Sequence, residues 1–450
     1  MRIKQISVSG LFGIFDHVIP LNMDERITII HGPNGFGKTA ILRILNSFFN
    51  SQYSELRAIP FKHFCLGFDD NTSIEIIKNT DNSEEAEKNN IVFKFYQPYS
   101  EPVYFYLKPR KIRSDRGFPM MFLDYGIEER HTPIIRSLDI RTEETLFSEE
   151  AVEHFNNLSF PNLKSQEEPN WLEQLQSNIH IRLIESQRLL NFVPNRSSRR
   201  SAETPSILST VSAYSDELAK LMQDKFKEYG TISQSLDRTF PVRVVKQQPS
   251  TDLTDEQLRH QLNELEATRS RLIEVGLLDK DEDAEFQIQP QDIDESTKNA
   301  LSVYVQDVEK KLSVFAEIAS KIDLLRKIIN NKFAYSYKEI NFSKEKGFVV
   351  TTSYGSSLSN SKTLLPTDLS SGEQHELVLL YELLFKVQPN SLVLIDEPEL
   401  SLHVGWQVQF LKDLQDITQL ADLNILMATH SPDIIQDRWD LTVELKGPHK

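Results

Sequence analysis

One cysteine, Cys65, stands in 450 residues, which excludes an intrachain disulfide framework and fits a reducing compartment. No apolar run approaches the roughly twenty residues of a bilayer-crossing helix, so no membrane span is expected. The opening MRIKQISVSG alternates polar and apolar residues and lacks an apolar leader core, so the chain is expected in the cytoplasm. A positive excess is missing too. Fifty Lys and Arg against 66 Asp and Glu leave a net charge of −16, which argues against a surface widely coated with nucleic acid. A local basic groove stays open. Internal repeats and extended low-complexity tracts are absent as well.

What is present is ordinary for a globular chain: 39% hydrophobic and 26% charged residues, with a length that suggests two or three domains. Residues 2–8, 27–31, 73–78, 91–96 and 103–107 are rich in β-branched and aromatic residues and predict strands; 38–49 predicts a helix. The first hundred residues therefore read as a mixed sheet, with another short strand at 181–185. After residue 200 the texture turns helical. Ile207, Val211, Tyr214, Leu218 and Leu221 share one helical face. Thr254 and Gln257 form a capping-box pattern ahead of Leu258, Leu262, Leu265 and Leu272. Leu301, Val305, Val308, Leu312, Phe315, Ala319 and Ile322 alternate by four and three. The acidic, proline-interrupted stretch 279–298 reads as the tip of a helical hairpin. Either an ordinary helical subdomain or a protruding antiparallel coiled-coil arm of about 35–50 Å fits this pattern. From Tyr335 strands return, and helices between the later ones give the rhythm of a mostly parallel sheet that completes the one begun at the N-terminus.

Gly32-Pro33-Asn34-Gly35-Phe36-Gly37-Lys38-Thr39 matches a phosphate loop between a strand and a helix. Its glycines let backbone N–H groups close on phosphate, Lys38 reaches the terminal phosphates, and the Thr39 hydroxyl can ligate Mg²⁺. SLVLIDEPELSLH ends an apolar strand on Asp396 and Glu397, at the edge where α/β sheets bind ligands. Asp396 would hold Mg²⁺ through water, and Glu397 would be the general base for the attacking water. LSSGEQ, residues 369–374, opens another helix with a small polar turn suited to an anion.

In this order the phosphate loop, LSSGEQ, LVLIDEPE and MATHS resemble the nucleotide-binding unit of ABC-type ATPases. The resemblance implies an α/β ABC-type fold, with a mixed β lobe, a mostly parallel sheet and an inserted helical or coiled-coil hairpin. It makes ATP and Mg²⁺ the ligands and puts Ser370, Ser371, Gly372 and Glu373 in the signature segment, with Ser371 where glycine is usual. His430 matches the switch histidine that senses the γ-phosphate. Gln187 is the best match to the glutamine that contacts Mg²⁺ and water, against a plain surface glutamine; Gln174 and Gln176 compete for that role. The implied division is 1–200 and 335–450 for the two parts of the ATPase domain, with 201–334 as the insertion.

The long separation of phosphate loop and signature, and His403 where the transporter form has aspartate, resemble the Rad50, SMC, RecF and OLD-like group. About twenty residues follow His430, so no OLD-type nuclease domain is expected. IESQRLL, LDRTFPVRVV and LSSGEQHELVLLYELLF look like stand-alone ATPase subunits of antiphage systems of the PARIS or Septu type, which implies a separately encoded effector, a nuclease, as partner. The family geometry further implies a homodimer or higher homo-oligomer, each signature helix meeting ATP held by Lys38 of another copy. A RecF- or Rad50-like repair ATPase with DNA as its ligand is the alternative, and a nucleotide-gated scaffold with little turnover a third. Two basic segments bear on DNA contact: Lys108, Arg110, Lys111, Arg113 and Arg116, and then Arg196, Arg199 and Arg200. The first reads as a solvated loop ahead of a DNA contact; the second reads equally as a nucleic-acid contact, a partner-docking segment or a solvated loop.

Overall fold

The computed structural model of the chain describes residues 1–78, 91–107, 112–113, 119–123, 136–139, 145–146, 168–186, 190–192, 207–246, 254–280, 294–352 and 362–447. Near the N-terminus β1 (Ile3–Leu11), β2 (Phe15–Pro20), β4 (His63–Phe68), β5 (Ser73–Lys78), β6 (Ile91–Tyr96) and β7 (Val103–Leu107) form an antiparallel sheet in the order β2-β1-β4-β5-β6-β7. Register follows the hydrophobic alternation, with Ile6 set between Ile19 and Leu66 and all three buried.

β3 (Ile27–His31) does not join that sheet, which corrects the expectation of one mixed sheet over the first hundred residues. Its residues 27–30 are buried without alternation, the pattern of a strand covered on both faces. It lies instead in a five-stranded parallel sheet with β12 (Ile181–Ile184), β18 (Leu392–Asp396), β19 (Asn424–Ala428) and β20 (Thr442–Glu444), in the order β12-β18-β19-β3-β20. Alternate residues feed two cores. Ile27, Ile29, Val393, Ile395, Ile425 and Met427 face one. Ile30, Leu392, Leu394, Leu426 and Ala428 face the other, shared with the antiparallel sheet. Smaller sheets join β8 (Ile112–Arg113), β9 (Pro119–Leu123), β10 (Arg136–Asp139) and β11 (Thr145–Leu146), then β13 (Leu190–Phe192) with β14 (Ile207–Ser209), and β15 (Lys338–Ser343), β16 (Gly347–Thr352) and β17 (Lys362–Leu364).

The helices are α1 (Lys38–Phe49), α2 (Tyr53–Ala58), α3 (Asn170–Asn178), α4 (Thr210–Lys246), α5 (Asp255–Glu274), α6 (Glu295–Ser313), α7 (Ala316–Phe333), α8 (Ser371–Tyr381), α9 (Val404–Ala421) and α10 (Pro432–Ile435). Among the described residues no helix is long and apolar enough to cross a membrane. With 37 residues α4 runs about 55 Å. Its buried face is Val211, Tyr214, Leu218 and Met222, whereas Ile207 is in β14 and Leu221 points outward. The capping box of α5 closes as its sequence predicts: Thr254 Oγ1 accepts from Gln257 N at 3.2 Å and Gln257 Oε1 from Thr254 N at 3.0 Å. The four–three stripe of Val305, Val308, Leu312, Phe315, Ala319 and Ile322 is buried, Leu301 partly so. It crosses a turn at Val314–Phe315, where both residues keep right-handed helical dihedrals.

The arm's strand directions differ from the expected hairpin. Arg243 pairs with Asp307, and Lys311 lies 2.7 Å from Asp237, so α4 is antiparallel to α6. Lys298 lies 2.9 Å from Asp255 while Arg271 pairs with Asp323, so α5 runs parallel to α6 and α7. Asp279, just after α5, is 2.6 Å from Lys344 between β15 and β16, whereas Lys298 at the start of α6 lies beside Asp255 at the opposite end of α5, so the two ends of 279–298 do not meet as a hairpin tip requires; residues 281–293 lie outside the described residues. The sequence pattern missed this because a parallel pair and an antiparallel pair bury the same stripe.

Candidate functional site

The phosphate loop joins β3 to α1. Gly35 and Gly37 hold left-handed φ values of 82° and 92°, and a Cβ on Gly37 would overlap Leu11 Cδ2. Gly32 brings its backbone against Leu445, whose carbonyl oxygen would lie 2.9 Å from an added Cβ. Phe36 anchors the turn: its ring sits 5.1 Å from that of Phe15, and its carbonyl oxygen accepts from His17 Nε2 at 3.0 Å. Pro33, Asn34 and Gly35 are exposed at the loop crest. No side chain caps α1, and its first turn contains no acid, so its leading N–H groups form an anion-binding end.

Lys38 is buried and donates to the carbonyls of Gly32 at 2.8 Å and Pro33 at 3.1 Å. Burial lowers its pKa, and the nearby Glu397, Asp396 and Glu399 carboxylates oppose that fall. Its Nζ lies 3.5 Å from His430 Nδ1. The ring's Nε2 is 3.4 Å from Glu397 Oε1. The backbone N–H of His430 donates to Glu399 Oε1 at 2.6 Å, a role for Glu399 that only the acidic run DEPE could have signalled.

Thr39 Oγ1 donates to Asp396 Oδ1 at 3.0 Å. Burial pushes the Asp396 carboxyl up to about 6, a rise that the Thr39 hydrogen bond reduces and the Glu397 charge reinforces. A buried carboxylate so held beside a hydroxyl is short of positive charge, which fits Mg²⁺: that ion takes one or two protein oxygens and completes its shell with water and phosphate. Thr39 and Asp396 would supply those oxygens. Asp396→Asn should therefore raise the melting temperature in EDTA, by an amount matching about 2–3 kcal/mol above pH 6. The folded pKa exceeds the unfolded one, so the wild-type penalty grows as pH rises and the gain shrinks in acid. The same variant should lose any Mg²⁺-dependent stabilisation by nucleotide; a calorimetric melt with and without Mg²⁺ checks both.

Three adjacent strand ends thus bring Lys38, Thr39, Asp396, Glu397 and His430 together, after β3, β18 and β19. A matching family model decides the family: the one described as the AAA ATPase domain covers residues 1–435. The chain belongs to that family. No curated protein matches the sequence. Among solved structures, one similar to this ATPase chain is the Smc head domain of Pyrococcus furiosus with an extended coiled coil, bound to the C-terminal domain of ScpA. It is 10% identical over 99% of this chain and 94% of that one, with a TM-score of 0.34. The SMC head domain of Thermotoga maritima is 10% identical over 97% and 92%, with a TM-score of 0.32.

The LSSGEQ turn, residues 369–374, lies apart from that cluster in its bonding. Ser370 caps α8, and every hydrogen bond it makes among the described residues ends within its own turn, at Glu373 or Gln374. Ser370 and Ser371 are exposed and Gly372 half-buried. Glu373 turns inward instead of toward solvent, 3% exposed, and meets Lys338 and Ser336. Burial raises its pKa, but hydrogen bonds from Lys338, Ser336 and Ser370 outweigh that and hold it below the ordinary value. His403 caps α9, its Nδ1 accepting from Gly405 N at 3.2 Å. Gln187 lies outside the described residues, as do the side chains of both basic segments; β12, which precedes Gln187, is adjacent to β18.

Proposed function

We propose that this chain is an ABC-type ATPase of the Rad50/SMC/RecF/OLD-like group that converts ATP and water to ADP and phosphate, slowly and for regulation. The observation that carries the reading is the convergence of Lys38, Thr39, Asp396, Glu397 and His430, while Ser370, in its exposed turn, bonds only to Glu373 and Gln374 among the described residues. Lys38 and the N–H groups of residues 32–39 bind the phosphates. Mg²⁺, when held by Thr39 and Asp396 with Gln187 as a further ligand, neutralises phosphate charge. Glu397 takes the proton of the attacking water, and His430, poised between Glu397 and Lys38, reads the γ-phosphate.

The second anion site belongs to another copy. Two chains associate head to tail, the Ser370 turn of each closing over the nucleotide held by Lys38 of the other, with residues 1–200 and 335–450 as the ATPase domain and 201–334 as the arm. The closed pair holds or releases a separately encoded effector, a nuclease, in antiviral defence. Ser370→Arg should leave binding of a fluorescent ATP analogue within about twofold while abolishing ATP-dependent association in sedimentation velocity, because a bulky cation replaces a small donor at the contact. Unchanged association would overturn the dimer. Co-purification of the adjacent gene's product in an ATP-dependent manner tests the effector; a neighbour that is a repair protein would overturn the defence role.

A further inference from the structure

Resting on the ATP-sandwich reading above, we propose that Lys338 is a positioning residue for the signature serine: it sets how firmly Glu373 holds the Ser370 hydroxyl proton. A serine has one hydroxyl proton to donate. Here Ser370 Oγ gives it to Glu373 Oε2 at 2.8 Å, and the Ser370 backbone N–H goes to the same oxygen at 2.8 Å. In that arrangement one lone pair of the hydroxyl accepts from Glu373 N at 3.4 Å and the other is left to face outward, where a phosphate repels it. Docking of a second copy's nucleotide requires the proton to swing from one anion to another.

The opposing pull on Glu373 comes from the base of the arm. Lys338 Nζ donates to Oε2 at 2.8 Å and to Oε1 at 3.0 Å, and Ser336 Oγ to Oε1 at 2.7 Å. Ser336 ends the short turn that follows α7, and Tyr337, with a left-handed φ of 54°, directs the chain into β15, where Lys338 is the first residue. Glu373 is nearly covered, so these donors carry most of its hydrogen bonding. Donors on one carboxylate compete: the more of its charge Lys338 neutralises, the weaker the hold on Ser370. The arm base and the signature serine therefore share one carboxylate, and Lys338 keeps the serine releasable.

The test measures ATP-dependent association of wild type, Lys338→Met, Glu373→Gln and the double variant by sedimentation, at mildly alkaline pH so that Glu373 stays ionised. Fluorescent-nucleotide affinity and thermal melts are run beside it. Lys338→Met should weaken association about three- to tenfold, since Glu373 then leans harder on Ser370. Glu373→Gln still closes the capping box but attracts the proton less, and should strengthen association by a similar factor. In the Glu373→Gln background Lys338→Met should add little. A merely structural network would weaken association in both single variants, and that result, or a full Lys338→Met effect in the double variant, overturns the proposal. If wild type shows no ATP-dependent association, the sandwich reading itself fails and this one with it. The two failures are told apart by the wild-type arm alone.

Discussion

Glu397→Gln is expected to cut ATP turnover by about two to three orders of magnitude while nucleotide still binds and the closed pair accumulates. The geometry makes this an unusually clean substitution. Glu397 directly follows the buried end of β18 and takes a left-handed conformation, φ 44° and ψ 61°, which costs a non-glycine residue about 1–2 kcal/mol. Its backbone N–H is tied to Ala428 O at 2.9 Å, so the position is held by the neighbouring strand rather than by its own side chain. Glutamine preserves shape and tether and removes only the basic oxygen. Strain kept at a residue with this placement is the pattern of a functional site. Glu397→Gly provides the contrast: relief of the strain should raise the melting temperature while turnover falls as far. Single-turnover phosphate release measures the first effect, and a melt the second. Turnover at the wild-type rate in Glu397→Gln would place the base elsewhere.

The second large effect concerns stability. Lys332 on α7 is buried with Glu376 of α8, and Asp413 of α9 beside them is half-buried; Lys332 pairs with Glu376 and lies 2.8 Å from Asp413. Burial disfavours the Lys332 charge, yet Glu376 and Asp413 raise its pKa above the ordinary value; burial raises that of Asp413 despite Lys332. Lys332→Met leaves two carboxylates without their cation and should cost about 3–5 kcal/mol. The deficit should narrow as pH falls, because Asp413, whose folded pKa burial raises, is relieved by protonation and penalised as pH rises. Replacing all three by apolar residues of similar volume should recover most of the loss. Chemical denaturation of the single and triple variants at neutral and mildly acid pH checks the set, and an unchanged single variant would show that the triad is already solvated. Because the triad ties α7, α8 and α9 together, its loss should also loosen the packing among these three helices.

Much of the site was readable because each element carries its chemistry locally. Gly35 and Gly37 need left-handed backbone where only glycine is at ease, and the phosphate-loop spacing records that. Asp396 and Glu397 follow an apolar strand, and the strand exists. What could not be read depends on partners far away in sequence. β3 belongs to the parallel sheet because residues 424–428 and 442–444 flank it, and nothing in ITIIH names them. Lys332 looks like one more solvated lysine in a helix; its carboxylates stand 44 and 81 positions on. Glu373 is a different case. Ser370 and Glu373 spell a capping box, and the resemblance to a nucleotide-contacting segment hid the local rule that places the carboxylate inward.

The position of β3 between β19 and β20 also has a consequence for synthesis. The strand that carries the phosphate loop is made about 400 residues before either of its neighbours. At about 5–20 residues per second, it waits on the ribosome for roughly 20–80 s with neither edge paired. The antiparallel sheet of β1, β2 and β4 to β7 has all its strands within the first 107 residues and can form in that interval. A chain stopped before residue 424 would have the strands of that sheet but neither neighbour of β3, so the strand that leads into the phosphate loop would stay unpaired on both edges.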